Sequence, residues 1–187
     1  MPYRKLFIAL SLAAFISILS YSPAYPLDLE SKYFTANIDE GIDIYSFAQK
    51  IDIRYYMESD ATASSRAPSK DAVLKDSLDG LYMAVSDVLG IHMYSLKINL
   101  TVLPVRKDIN NTLKGYLEEG IDIPSYYFKE RNAIYISFED LTVGMLAHEI
   151  AHAIMARYFV IAPPPETQEI LSGYVEFSIN KSMQNNR

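Results

Sequence analysis

Apolar residues between Leu141 and Phe159 recur at spacings of three and four. Val143, Leu146, Ala147, Ile150, Ala153 and Ile154 fall on one stripe, which predicts an amphipathic helix. The stretch holds no proline and one glycine, and Asp140 and Thr142 both stand where an N-cap belongs. Leu74, Leu78, Leu81, Tyr82, Val85 and Leu89 predict a second helix, ending at Gly90. Ile44, Phe47, Ala48 and Ile51 predict a short one, and 108–117 another. Strands are predicted over 31–36, 97–105 and 131–138, where β-branched and aromatic residues gather. The small polar run 60–70 reads as a loop, as does 120–127. Pro163, Pro164 and Pro165 must break any helix running out of the 141–159 stretch. Beyond them Ile170, Leu171, Tyr174, Val175, Phe177, Ser178 and Ile179 predict a last amphipathic helix. Helices and strands in this order imply an α+β fold, helices packed on a small twisted sheet.

The length of 187 residues suits a single domain with a real core, here 25–187. Residues 1–24 are set apart. Arg4 and Lys5 precede an apolar run from Leu6 to Ser20, and Ser22-Pro23-Ala24 places small residues where a leader is cut. The expectation is a secretory signal peptide cleaved after Ala24, and a secreted or periplasmic product. No later stretch is apolar enough to span a bilayer, so the mature chain is expected to have no membrane partner. The net charge of −6 argues against nucleic acid as a partner. The chain has no cysteine, which excludes disulfides and thiolate ligands. Nothing in residues 25–40 marks them as a pro-segment, though their position would suit one.

The helix at 141–159 carries the chemistry. Two of the three histidines in the chain occur in His148-Glu149-Ile150-Ala151-His152. This is the HExxH pattern of zinc metalloproteases. Residues at i and i+4 lie one above the other on a helix, so both imidazoles can face one Zn²⁺. Glu149 sits about 100° further round, able to miss the metal yet reach a water beside it. A catalytic zinc keeps three protein ligands and leaves a position for water. No histidine follows His152, which excludes the long motif with a later histidine. The candidates for third ligand are Glu166, Glu169 and Glu176.

Glu169-Ile170-Leu171-Ser172-Gly173-Tyr174-Val175-Glu176 resembles the E-G-L-A-x-Y-x-E segment of gluzincins, zinc peptidases whose third ligand is a glutamate on a helix after HExxH. The match covers both glutamates, the leucine, the tyrosine and a small residue. It implies a minimal zincin-like fold, with His148, His152 and Glu169 as zinc ligands and Glu149 as general base. Glu176, two turns along, is a partner for a ligand histidine on this reading. Thermolysin-like members carry an aspartate where this chain has Gly173. The resemblance, spanning roughly 132–176, also implies that an edge strand precedes the active-site helix and pairs with extended substrate. On it, Asn132-Ala133 resembles an Asn-Ala pair, and 131–138 is that edge. An oxyanion donor is also needed and the sequence singles none out: Tyr158 and Tyr174 stand near the motifs among fifteen tyrosines, and His92 reads better as a structural or surface histidine.

The activity implied is a secreted metallopeptidase acting on peptide or protein substrates. The alternative is a zincin-like binding or assembly protein of the cell envelope, with little general proteolysis.

Overall fold

The computed structural model describes residues 27–52, 69–117 and 122–185. The expected leader, 1–24, and nearly all of the polar loop 60–70 lie outside the described residues. Five strands form one mixed sheet in the order β1-β2-β3-β5-β4. They are β1 (Leu27–Glu30), β2 (Phe34–Ile38), β3 (Ile98–Leu103), β4 (Ser125–Phe128) and β5 (Ala133–Ser137). β2, β3 and β5 run parallel, while β1 and β4 pair antiparallel at the two edges. The helices are α1 (Ile44–Lys50), α2 (Lys70–Leu89), α3 (Arg106–Thr112), α4 (Val143–Tyr158) and α5 (Pro165–Asn185). The architecture is α+β. No described helix is long and apolar enough to cross a membrane.

The sheet's main face follows the two-residue period of a strand. Phe34, Ala36 and Ile38 on β2, then Ile98, Leu100 and Val102 on β3, are buried, and Ile134 and Ile136 continue the face on β5. α2, α4 and α5 cover it, contributing Leu74, Leu78 and Leu81, then Leu146, Ile150 and Ile154, then Val175 and Ile179. α3 covers the opposite face near β4, where Ile109 and Leu113 meet Phe128, Ala133 and Tyr135. β5 is therefore buried along its whole length. That is the pattern of a strand with both faces covered.

Local signals set the helix ends. Ser69 caps α2 by accepting from the Ala72 N–H, and Gly90 ends it in the left-handed conformation at φ 66°. Thr142, one of the two N-cap candidates, caps α4 by accepting from the Met145 N–H at 3.1 Å. Asp140, the other, instead receives Arg106 through two hydrogen bonds of 2.7 and 2.6 Å, with Ser137 Oγ at 2.6 Å. The proline run ends at Pro165, the first residue of α5, where a missing N–H costs nothing.

Several expectations need correction. An edge strand does precede α4, but it is β4 and not 131–138, whose strand lies between β3 and β4. β4 falls largely in the stretch expected to be a loop. Pro124 and Gly120 masked the short Ser-Tyr-Tyr-Phe run that forms it. Asn132 does not lie on the edge. It turns the chain between a short 3₁₀ segment (Lys129–Arg131) and β5 at φ 48°. Its carboxamide accepts from the Tyr127 hydroxyl and Arg157 and donates to Lys97 O, so it is a structural knot. Residues 27–38 supply β1 and β2, with Phe34 and Ala36 fully buried, and so are part of the sheet and no detachable pro-segment.

Candidate metal centre and cleft

α4 presents its apolar stripe to the core, with every one of the six expected positions buried. That orientation turns His148 and His152 to the rim, half-buried, with their Nε2 atoms 3.1 Å apart. α5 then folds back along α4. Their spacing is set by a close approach: a Cβ on Gly144 would lie 2.7 Å from Cγ of Asn180. The approach brings Glu169, in the second turn of α5, over the two rings. Its Oε2 is 3.4 Å from His148 Nε2 and its Oε1 is 3.3 Å from His152 Nε2. His148, His152 and Glu169 are the one such group of potential metal ligands among the described residues. Glu166 is not part of that group. Glu176 meets His148 from behind: its Oε2 is 3.3 Å from Nδ1 of that ring.

The residue types and spacings fit a zinc ion. Zinc bonds to nitrogen and oxygen run about 2.0–2.2 Å, and a tetrahedron with such bonds has edges of about 3.3–3.6 Å. The three donor separations, 3.1, 3.3 and 3.4 Å, lie close to those edges. The charge balance points the same way. Burial, reinforced by the neighbouring His148, holds the His152 imidazole below its usual pKa, so the ring is neutral with a lone pair to offer. The two Nε2 atoms face each other at 3.1 Å with the Glu169 carboxylate beside both, a donor set that a cation would satisfy. His148 Nδ1 is buried without a well-aligned hydrogen bond, its nearest acceptor being Glu176.

Glu149 lines the same cleft as Glu169 and is 7% exposed. Ser125 Oγ donates to its Oε1 at 2.6 Å. Burial raises its pKa. The Ser125 hydrogen bond, nearby His148 and the Tyr127 backbone amide oppose that shift. The partners come from β4, which forms one wall of a cleft of about 470 Å³. α4 floors the cleft with His148, Glu149 and His152, and Gln168 and Glu169 at the start of α5 close it.

The register of β4 decides which of its backbone groups face outward. Pro124 O accepts from the Ser137 N–H at 2.9 Å, and Tyr126 stands opposite Tyr135. Antiparallel pairs alternate between bonded and non-bonded. Tyr126 and Phe128 therefore spend their backbone groups on β5, while those of Ser125 and Tyr127 face the open edge.

None of His92, Tyr158 and Tyr174 lines this cleft. His92 sits in the turn after α2, 3.8 Å from Asp87, and Tyr158 and Tyr174 are more than half exposed elsewhere on the surface. Sequence reasoning missed Ser125, Tyr127, Lys129 and Gln168, which do line it. The one signal for the first two was the aromatic run after Pro124, a fair strand former. It also misassigned the inner face of α5. Ser172, Val175 and Ile179 are buried there, whereas Ile170, Tyr174 and Phe177 are exposed. No protein-family model, curated protein or solved structure matches the chain.

Proposed function

We propose that the chain is an exported zinc metallopeptidase, with His148, His152 and Glu169 holding the metal and Glu149 serving as general base. The observation that carries this reading is the convergence of three donors from two helices at the edge lengths of a zinc tetrahedron, with a buried carboxylate beside them. Zinc held there would supply a Lewis acid and an acidified water, with a pKa near 7 in such sites. Glu149, at the cleft floor, is placed to serve as the proton acceptor and donor that such chemistry would need. The outward amide and carbonyl of Ser125 and the outward carbonyl of Tyr127 offer an extended peptide a strand to pair with, a mode that reads side chains only at alternate positions.

The test pairs metal analysis with digestion of casein. Purified protein is expected to carry one zinc per chain and to cut casein in a chelator-sensitive way. Glu149→Gln should keep the zinc and lose turnover by about 10²–10⁴-fold, the range for a general base. Glu169→Ala should lose the zinc. Retained activity in Glu149→Gln would sink the reading, and undiminished zinc in Glu169→Ala would move the third ligand elsewhere.

One observation favours the alternative, a zincin-like binding or assembly protein. Ile170, Tyr174 and Phe177 form an exposed apolar strip along α5 beside Glu169. Exposed apolar strips of this kind are commoner at contact surfaces than on free ones. Zinc binding without casein cleavage would select that reading.

A further inference from the structure

We propose that Ser125 is a positioning residue for Glu149, aiming the base through the same strand residue whose backbone takes the substrate. The inference rests on the peptidase reading. It starts from two facts about one residue. The Ser125 hydroxyl donates to Glu149 Oε1 at 2.6 Å, within the range of a charge-assisted hydrogen bond to a carboxylate. The Ser125 backbone N–H and C=O face the open edge of the sheet, by the register of β4 with β5.

Besides Ser125, the Tyr127 backbone amide is the other neutral group drawn to the Glu149 carboxylate. Glu149 is buried at the floor of the cleft, and no described cation forms an ion pair with it. A glutamate has three side-chain torsions, and a carboxylate free to rotate about them would spend much of its time away from the attacking water. Ser125 removes that freedom from one oxygen. With that oxygen anchored, the carboxylate as a whole is held in place at the cleft floor. The anchor is a strand residue beside the reacting bond, where small misplacements are costly. A peptide laid along β4 is thus held by the backbone of the residue whose side chain aims the base, so substrate and base share one reference point.

This division makes a sharp test possible, because backbone and side chain of Ser125 do different work. Ser125→Ala keeps the peptide-pairing groups and removes only the anchor. The assay uses the zinc-loaded full protein and a quenched fluorescent peptide built on a site it cuts in casein. Ser125→Ala is expected to lower kcat by about tenfold to a hundredfold, the range for losing a hydrogen bond to a charged group. KM and zinc content should stay unchanged. Ser125→Thr, which restores a hydroxyl, should recover most of kcat. Ser125→Cys, close in volume with a weak donor, should behave like the alanine variant and serves if that variant folds poorly.

A second readout needs no activity. In metal-free protein with ¹³C-labelled glutamate, the Glu149 carboxyl resonance is assigned by its loss in Glu149→Gln. It should move in Ser125→Ala and return in Ser125→Thr. An unmoved resonance, an unchanged kcat beside a dead Glu149→Gln, or a loss of zinc in Ser125→Ala would each overturn the inference alone. An active Glu149→Gln, or a wild type that leaves casein intact, would overturn the peptidase reading and this inference with it.

Discussion

Oε2 of Glu176 lies 3.3 Å from Nδ1 of His148, on the opposite side of the imidazole from the contact with Glu169. The same ring is thus gripped at both nitrogens by carboxylates from one helix, two turns apart. Gly173, between them on α5, has open space around it. A carboxylate behind a ligand histidine fixes the ring's tautomer and orientation and raises its basicity.

Glu176→Ala is therefore expected to weaken zinc binding by about 10- to 100-fold without abolishing it, the usual cost of losing such a partner. Glu176→Gln, which keeps an acceptor oxygen, should lose less. Competition against a chelator of known affinity checks both. Equal affinities for wild type and Glu176→Ala would remove Glu176 from the site.

Zinc bound as proposed should also stabilise the fold, since His148 and His152 stand on one helix and Glu169 on another. Free zinc at a hundred times its Kd stabilises a single-site protein by about 2.7 kcal/mol. For a domain of this size that is a rise in Tm of about 5–10 °C. His148→Ala should lose most of this zinc-dependent rise in a thermal melt, whereas Glu149→Gln should keep it.

Gly144 sets the distance between α4 and α5. A methyl at this position would press on the Asn180 carboxamide. Alanine favours a helix over glycine by about 1 kcal/mol, but overpacking costs about 1–3 kcal/mol. Gly144→Ala is expected to be net destabilising by up to about 2 kcal/mol and to weaken zinc binding, because it moves Glu169 away from the rings. Gly144→Ala with Asn180→Ala should recover stability. A denaturant titration of the single and double variants decides it.

Arg106 holds the Asp140 carboxyl down to about 2, assisted by the Ser137 hydroxyl. The folded-state pKa lies below the unfolded value of about 3.9, so the pair contributes its full stability above about pH 4. That contribution falls away as the pH drops from about 4 through about 2. Asp140→Asn removes the proton uptake, so its urea midpoint should fall less steeply than that of the wild type over this interval. Parallel acid limbs for the two proteins would show that the pair contributes nothing to the turn before α4.

Much of this fold was legible in the chain, and what was legible was local. The helix of His148 and His152, its buried stripe and its cap at Thr142 all follow from rotation per residue and from side chains a few positions apart. The spacing of those histidines follows from the same rule, as does the end of α2 at Gly90, where only a residue without Cβ adopts φ 66° at no cost. What tertiary structure decided was everything that joins distant segments. β4 became an edge strand because β5 pairs it, and four residues after a proline carry too weak a signal to show that. α5 carries two apolar stripes of similar strength, one with Val175 and Ile179 and one with Ile170, Tyr174 and Phe177. Only packing against α4 selects the first, and the open backbone of Gly144 sets how near it comes. That choice places Glu169 over the histidines, while the pairing of β4 with β5 beside α4 brings Ser125 to Glu149. Both contacts depend on distances between elements, which a residue pattern along one chain does not encode.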